Sequence, residues 1–387
     1  MIFDPTSTEL PHPHPIRVLS SKTRRRIWNA GHRNLIRTSQ RWAPSEIAIA
    51  GSYLKINTGD ESLAHACATA CQNLKVKHAI QPATYLARWP AMKKLLMGGG
   101  AVGYPDVFHA AMTRYPDPSK VAAVGVDFHP DTFNGSLLPY LRNMAWVSCR
   151  SAEQAAYFEE RSGRKVPFHP DLVFSLMQPG LYRTNRNEHP GRITGINVMP
   201  ILAKETGRSF VPVRSFEGNP NDLGKDSIQI YLRYQQLVKK FCSAALEKGH
   251  KIIHIPFSKE DDWYARALLQ GFPVEFTPFS CNFNQVIRRL FRCDHFFSTR
   301  FHSLVFALMT QTPCIPFQYV YKNTQLLHAM GIHEYDGISS EGLLHDFDKT
   351  MSQTIETTEL VCPVGQIQKL RQASLSALQS AIAAIRH

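Results

Sequence analysis

Short apolar runs alternate with stretches of helical periodicity along most of the chain, and no other feature constrains its fold as tightly. In the first half the runs are Glu46–Tyr53 (EIAIAGSY), Lys94–Met97, Val121–Val126 (VAAVGV), Trp146–Cys149 and Leu172–Leu176. After the first of them, Leu63, Ala66, Cys67, Ala70 and Leu74 recur at i, i+3, i+4, i+7 and i+11. That is one stripe of an amphipathic helix, which Asp60 or a neighbour would cap. The second half repeats the theme with a strand at 193–198, a helix at 226–248 and further strands at 252–257, 274–279, 295–299 and 314–317. Helical patterns at 259–270, 284–292, 301–310 and 322–330 follow those strands in turn. Strands that alternate with helices predict parallel, doubly wound sheets.

The chain has 387 residues, enough for two cores at about 150 residues per domain. A polar, turn-rich stretch from Met177 to Arg192 separates the two halves. The expected organisation is a basic N-terminal extension (1–44), a first α/β domain (45–185), a second (186–345) and a C-terminal helical segment (346–387). Hydrophobic residues at 43% and charged residues at 19% exclude intrinsic disorder. No apolar run approaches the ~20 residues that span a bilayer. The opening MIFDPTSTELPHPHP lacks the basic-then-apolar pattern of a signal peptide, so a cytoplasmic location is expected. Eight cysteines show no paired ligand spacing and read as reduced, buried thiols, with no metal site.

Lys and Arg exceed Asp and Glu by 44 to 31, a net charge of +13. Lys22, Arg24, Arg25, Arg26, Arg33, Arg37 and Arg41 cluster near the start, with Trp28 and Trp42 among them. The cluster is a solvated extension, a peripheral contact with an anionic membrane surface, or a nucleic-acid contact. No nucleic-acid-binding motif accompanies it, so nucleic acid is not the expected partner. An anionic substrate would also favour a basic protein.

Three features carry polar or glycine-rich chemistry at sheet edges. Asn57, Gly59, Asp60 and Glu61 form a loop between the first strand and the first helix, where open α/β sheets place ligands. Gly98, Gly99 and Gly100 end the strand that contains Leu95 and Met97, and close packing or close ligand approach would explain three glycines there. Arg300 and His302 stand between a strand end and an apolar helix. Arginine offers a planar fork for carboxylate or phosphate, and histidine moves protons near neutral pH.

Taken together in order and spacing, several segments resemble the polysaccharide pyruvyl transferase family. They are Gly51 to Ser62 with its NTGDES, LLMGGG (95–100), VSCRSAE (147–153), PDLVFSL (170–176), STRFHSLVFAL (298–308), and PCIPF followed by Tyr321-Lys322. The resemblance spans about residues 46 to 335. It implies two Rossmann-like domains in a glycosyltransferase-B-like arrangement with an interdomain cleft. It also implies transfer of pyruvate from phosphoenolpyruvate onto two hydroxyls of a sugar or lipid-linked oligosaccharide, with no separate cofactor and no metal. On that reading Arg300, Lys322 and Arg150 bind the doubly anionic donor, and His302 is the general acid. Asn57, Asp60, Glu61, Asp127 and His129 would face the acceptor. The sequence departs from the family pattern at Gly125–Pro130, where an acid and an imidazole are added. It departs again after Asn197, where an arginine is missing; either Arg183, Arg192 or Arg214 replaces it or the donor is held differently. The runner-up is a glycosyltransferase with a nucleotide-sugar donor, for which Glu275 or Glu260 would hold the ribose. A non-catalytic nucleic-acid-binding protein is the third reading.

Overall fold

In chain order the strands of the computed structural model are Leu10–Pro11 (β1), Ile47–Gly51 (β2), His78–Pro82 (β3), Lys94–Gly103 (β4), Val121–Phe128 (β5), Trp146–Cys149 (β6) and Ile193–Asn197 (β7). They continue with Ala203–Glu205 (β8), Ser209–Pro212 (β9), Lys251–His254 (β10), Val274–Phe276 (β11), His295–Ser298 (β12), Cys314–Gln318 (β13) and Ile338–Ser339 (β14). The structure describes residues 10–11, 44–53, 56–83, 86–178, 192–205, 209–212, 226–330, 332, 338–356 and 360–386. The basic cluster from Lys22 to Arg41 and most of the expected domain junction lie outside them.

Two compact units result: Ser21–Pro179 with Gly365–His387, and Met1–Ser20 with Gly180–Val364. In the first, five strands run in the order β3-β2-β4-β5-β6, all parallel. In the second, six run in the order β11-β10-β7-β12-β13-β14, also parallel. Parallel strands covered on both faces need apolar side chains on both, and β2 is buried at every position. Each sheet reverses its winding once, between β2 and β4 and between β7 and β12. Diverging connections at such a point leave a crevice at the carboxyl ends of the strands.

The alternation seen in the sequence therefore builds two Rossmann-like sheets, and four expectations change. Leu172–Leu176 is a single 3-10 turn, not a strand, because the Asp171 carboxylate accepts the Val173 N–H at 3.0 Å and starts it. The three glycines lie inside β4, which runs on to Gly103. The closing segment is shared: helix Phe347–Glu356 packs in the C-terminal unit and helix Val364–Arg386 in the N-terminal one. Part of the supposed extension is structural, since Leu10 is buried and pairs with Phe210 in a small antiparallel sheet β1-β9-β8.

The glycines of β4 answer mainly to packing. The Tyr53 hydroxyl donates to the Gly98 carbonyl, and a Cβ at Gly98 would lie 2.3 Å from Cys67 Sγ. Gly99 and Gly100 have φ of +65° and +76° and lie against Leu63. Cys67 and Cys71, one helical turn apart, are both buried, and burial pushes each thiol up to about 12. At the end of β10, His254 is fully buried; its Nε2 accepts the Val198 N–H at 3.4 Å and its carbonyl accepts the Thr277 N–H at 3.1 Å. Burial lowers its imidazole to about 4.

Gly98→Ala is expected to cost about 1–3 kcal/mol of stability, since the added methyl collides with Cys67 and Tyr53. Gly365→Ala, whose Cβ meets nothing within 4 Å, should change stability by less than about 1 kcal/mol. Thermal unfolding of both variants reads the contrast. At His254 the folded state binds fewer protons than the unfolded chain between about pH 6.5 and 4. Its contribution is complete above that window and is lost as pH falls through it, by at most ~3 kcal/mol. His254→Gln should flatten this part of the stability curve in denaturant titrations across the window.

Candidate functional site

The switch point of the C-terminal sheet is built by three strand ends. Asn197 closes β7 and lies in register with Ser298, which closes β12. The third is the segment after β10, where Ser258 begins helix Lys259–Leu268 with a capping box. Ser258 Oγ accepts the Asp261 N–H at 3.2 Å, and Asp261 Oδ2 accepts the N–H of Ser258 at 3.1 Å and of Phe257 at 3.0 Å. The Asp261 side chain is completely buried.

Arg300 docks on that carboxylate. Its Nε donates to both Asp261 oxygens at 2.7 and 2.8 Å, and its Nη2 donates to Asp261 Oδ1 at 2.5 Å and to Ser258 Oγ at 2.9 Å. The Arg300 N–H donates to Asn197 Oδ1 at 2.9 Å, while Asn197 Nδ2 donates to Asp261 Oδ2 at 3.3 Å. Burial alone would lower the guanidinium pKa, but the charge and bonds of Asp261 more than offset it and hold Arg300 protonated. Nη1 bonds to no polar group among the described residues, and the side chain keeps 18% of its surface exposed.

Arg300 is also the residue from which helix Phe301–Met309 starts, and no side chain caps that helix there. The turn is fixed from within: Ser303 Oγ donates to the Arg300 carbonyl at 2.7 Å and lies 2.7 Å from Ser298 Oγ. Tyr234 and Thr299 share a hydrogen bond of 2.9 Å beneath it. His302 is the second helical residue, half-buried, with its ring edge-on to Phe301 at 5.2 Å. Lys322 occupies the first turn of helix Tyr321–Ala329, after the neighbouring strand β13, and that helix also lacks a side-chain cap. Arg300, His302 and Lys322 thus share one sheet edge. Arg192 precedes β7 and stands at the opposite edge, so it cannot replace an arginine beside Asn197. Arg183 and Arg214 lie outside the described residues. Glu275 is exposed and paired through both oxygens with Arg292 at 3.2 and 3.3 Å.

The remaining candidates belong to the N-terminal unit. Asn57 caps helix Thr58–Asn73, its Oδ1 accepting the N–H groups of Gly59 and Asp60 at 2.9 and 3.2 Å. Asp60 and Glu61 are half-buried in the first turn, where acidic residues suit the helix dipole. Arg150 is buried and ion-paired with Asp127, with Asp171 3.6 Å away on its other side. Two carboxylates offset its single charge, which weighs against Arg150 as a donor-binding cation. His129 Nδ1 accepts the Asp131 N–H at 3.3 Å, and its ring stacks on Tyr104 at 5.5 Å.

Three contributors escaped the sequence reading. Asp261 was legible as the end of an S-x-x-D capping box, but not as the partner of an arginine 39 residues on. Asp171 stood only within the segment PDLVFSL, just before the run expected as a strand, and was given no role. Tyr104, 44% exposed directly after β4, carried no pattern at all. Among the described residues no group of three or more His, Cys, Asp or Glu could hold a metal ion, and no helix is long and apolar enough to cross a membrane.

Comparison with known proteins separates fold from family. UDP-N-acetylglucosamine 2-epimerase from Rickettsia bellii is similar with a TM-score of 0.50 at 9% identity, covering 88% of this chain and 97% of that one. A putative UDP-N-acetylglucosamine 2-epimerase from Listeria monocytogenes gives 0.49 at 10%, covering 88% and 96%. MurG from Acinetobacter baumannii gives 0.44 at 12%, covering 88% and 100%. At such identities the likeness concerns fold alone, that of Rossmann-like α/β proteins of the glycosyltransferase-B class. No curated protein matches the sequence. The family model described as polysaccharide pyruvyl transferase matches residues 57–319. That stretch runs from the Asn57 cap past Arg300 and His302 to Tyr319, well over half of the sequence, and the chain belongs to the polysaccharide pyruvyl transferase family.

Proposed function

We propose that this transferase takes the enolpyruvyl group of phosphoenolpyruvate and closes it as a ketal on two hydroxyls of one sugar unit. The observation that carries the reading is Arg300. Its guanidinium is pinned edge-on by Asp261, and Nη1 lies outside that pair at a helix start that no side chain caps. A donor with a phosphate and a carboxylate matches a fixed guanidinium edge beside a helix N-terminus. Lys322, in the first turn of a second uncapped helix at the same edge, would add a mobile positive charge.

The chemistry puts one proton on carbon and takes two from the hydroxyls. His302 gives a proton to the methylene carbon of the donor, which becomes the methyl group and leaves the central carbon electrophilic. One sugar hydroxyl adds to that carbon, the C–O bond to phosphate breaks, and the second hydroxyl replaces it. The two hydroxyl protons pass to the departing phosphate and back to His302. Arg300 offsets the charge that gathers on phosphate as its bond breaks. On the acceptor side, Asp60 and Glu61 supply hydrogen-bond acceptors, and the exposed Tyr104 ring, stacked on His129, offers a flat apolar face to a pyranose.

Incubation with phosphoenolpyruvate and vicinal or 4,6-diol glycans should release phosphate in step with pyruvylated product. Consumption of nucleotide sugars without phosphoenolpyruvate turnover would overturn the reading. His302→Ala should lower kcat by about 10²–10⁴-fold with an unchanged circular dichroism spectrum. Near-normal turnover would remove His302 from the reaction. Asp261→Asn leaves Arg300 buried without its counter-charge and should cost about 3–5 kcal/mol in denaturant unfolding. At temperatures where this variant stays folded, KM for phosphoenolpyruvate should rise about tenfold, because the guanidinium edge is no longer fixed.

A further inference from the structure

The amino-terminal edge of the C-terminal sheet carries a second cluster of positive groups that the proposed reaction does not use. A cavity of about 150 Å³ opens there, the share of about five waters at ~30 Å³ each. Its polar lining is Arg192, Thr194, Lys248, His250, His295 and Thr354, and its apolar lining includes Phe241 and Ile315. Among the described residues no carboxylate lines it. The His250 and His295 rings are stacked, 5.5 Å apart and 4° from parallel. Thr194, itself buried, shares a 2.9 Å hydrogen bond with His250 Nδ1 and so fixes that ring.

We infer that this cavity is a site for a small oxyanion of the sulfate or phosphate class, filled as His250 takes up a proton. Two permanent cations and two stacked imidazoles around one space repel one another, and an anion between them removes that repulsion. Among the described residues the charged neighbours that act most on His250 are His295 from β12, Arg192 before β7, Lys248 after helix Ser227–Glu247, and Asp294. Burial first, and then His295, Arg192 and Lys248, oppose protonation of His250, while Asp294 alone favours it. Asp294 Oδ2 accepts the Ile193 N–H at 2.8 Å and does not line the cavity. The site is separate from that of Arg300, because Thr194 and Asn197 mark opposite ends of β7, about 10 Å apart along the strand.

The test uses the full chain with labelled histidines, followed by NMR during titration with sodium sulfate at constant ionic strength. Sulfate keeps its charge across the range, so any pH effect belongs to the protein. The His250 and His295 resonances should shift saturably, and the apparent pKa of His250 should rise when sulfate is present. Affinity should weaken about tenfold per pH unit above that pKa for each proton taken up. Lys248→Gln, at an exposed position, should weaken binding severalfold while His302 and the fold stay unchanged. Parallel titrations with inorganic phosphate and glycerol phosphate, both at low pH, tell a free ion from the end of a phosphate ester. Binding of either supports the site. Unmoved His250 and His295 resonances, or a response that survives Lys248→Gln together with Arg192→Gln, would overturn it.

Discussion

Everything at the C-terminal sheet edge depends on one buried ion pair, Arg300 with Asp261. Taking two charges out of water costs several kcal/mol for each, and the cost is offset only when their remaining hydrogen-bonding capacity is filled. Asp261 fills its own with the Phe257 and Ser258 amides, the Ser258 hydroxyl and the Asn197 amide, besides the guanidinium. Those partners come from β7 and from the turn after β10, and Arg300 itself stands two residues beyond Ser298, the end of β12. The pair therefore fixes the relative position of three strand ends, and with them the start of the helix that carries His302.

The N-terminal unit repeats the device with a different outcome. Arg150 is buried at its own sheet edge, but it meets two carboxylates, Asp127 and Asp171. Asp171 is held in turn: its side chain starts the 3-10 turn at Leu172, and its carbonyl accepts Ser374 Oγ at 3.0 Å. An arginine held from two sides supports structure. Arg300 is held by carboxylate along one edge, and this separates it from Arg150 although both follow strands in the sequence.

Much of the fold was legible because alternating apolar runs and helical stripes have few solutions in three dimensions. Leu63, Ala66, Cys67 and Ala70 are buried as their spacing requires, and every strand expected in the second half exists within a few residues. The run LVFSL misled because five apolar-rich residues fit a strand or a buried turn equally, and only the cap from Asp171 decides. The triple glycine pointed to close approach, and the approach is by Tyr53, Cys67 and Leu63. Arg300 and His302 stood out in the sequence as candidates from their place between strand and helix, and the structure places them there. Asp261 was not, because pairing across 39 residues leaves no local pattern.

The helix Val364–Arg386 buries Ile367, Leu370, Leu378, Ile382 and Ile385 in the N-terminal unit, with Arg371 Nε donating to the Met177 carbonyl at 2.7 Å. Leu10, conversely, is buried in the C-terminal unit. During synthesis the ribosome therefore delivers a core strand of the second unit before any of the first. It delivers a core helix of the first only after all of the second. The second unit has all its pieces once residue 364 has emerged, whereas the first must keep an uncovered apolar face until the last turns of helix Val364–Arg386 arrive. A cut between the halves would strand each one's missing piece on the other fragment.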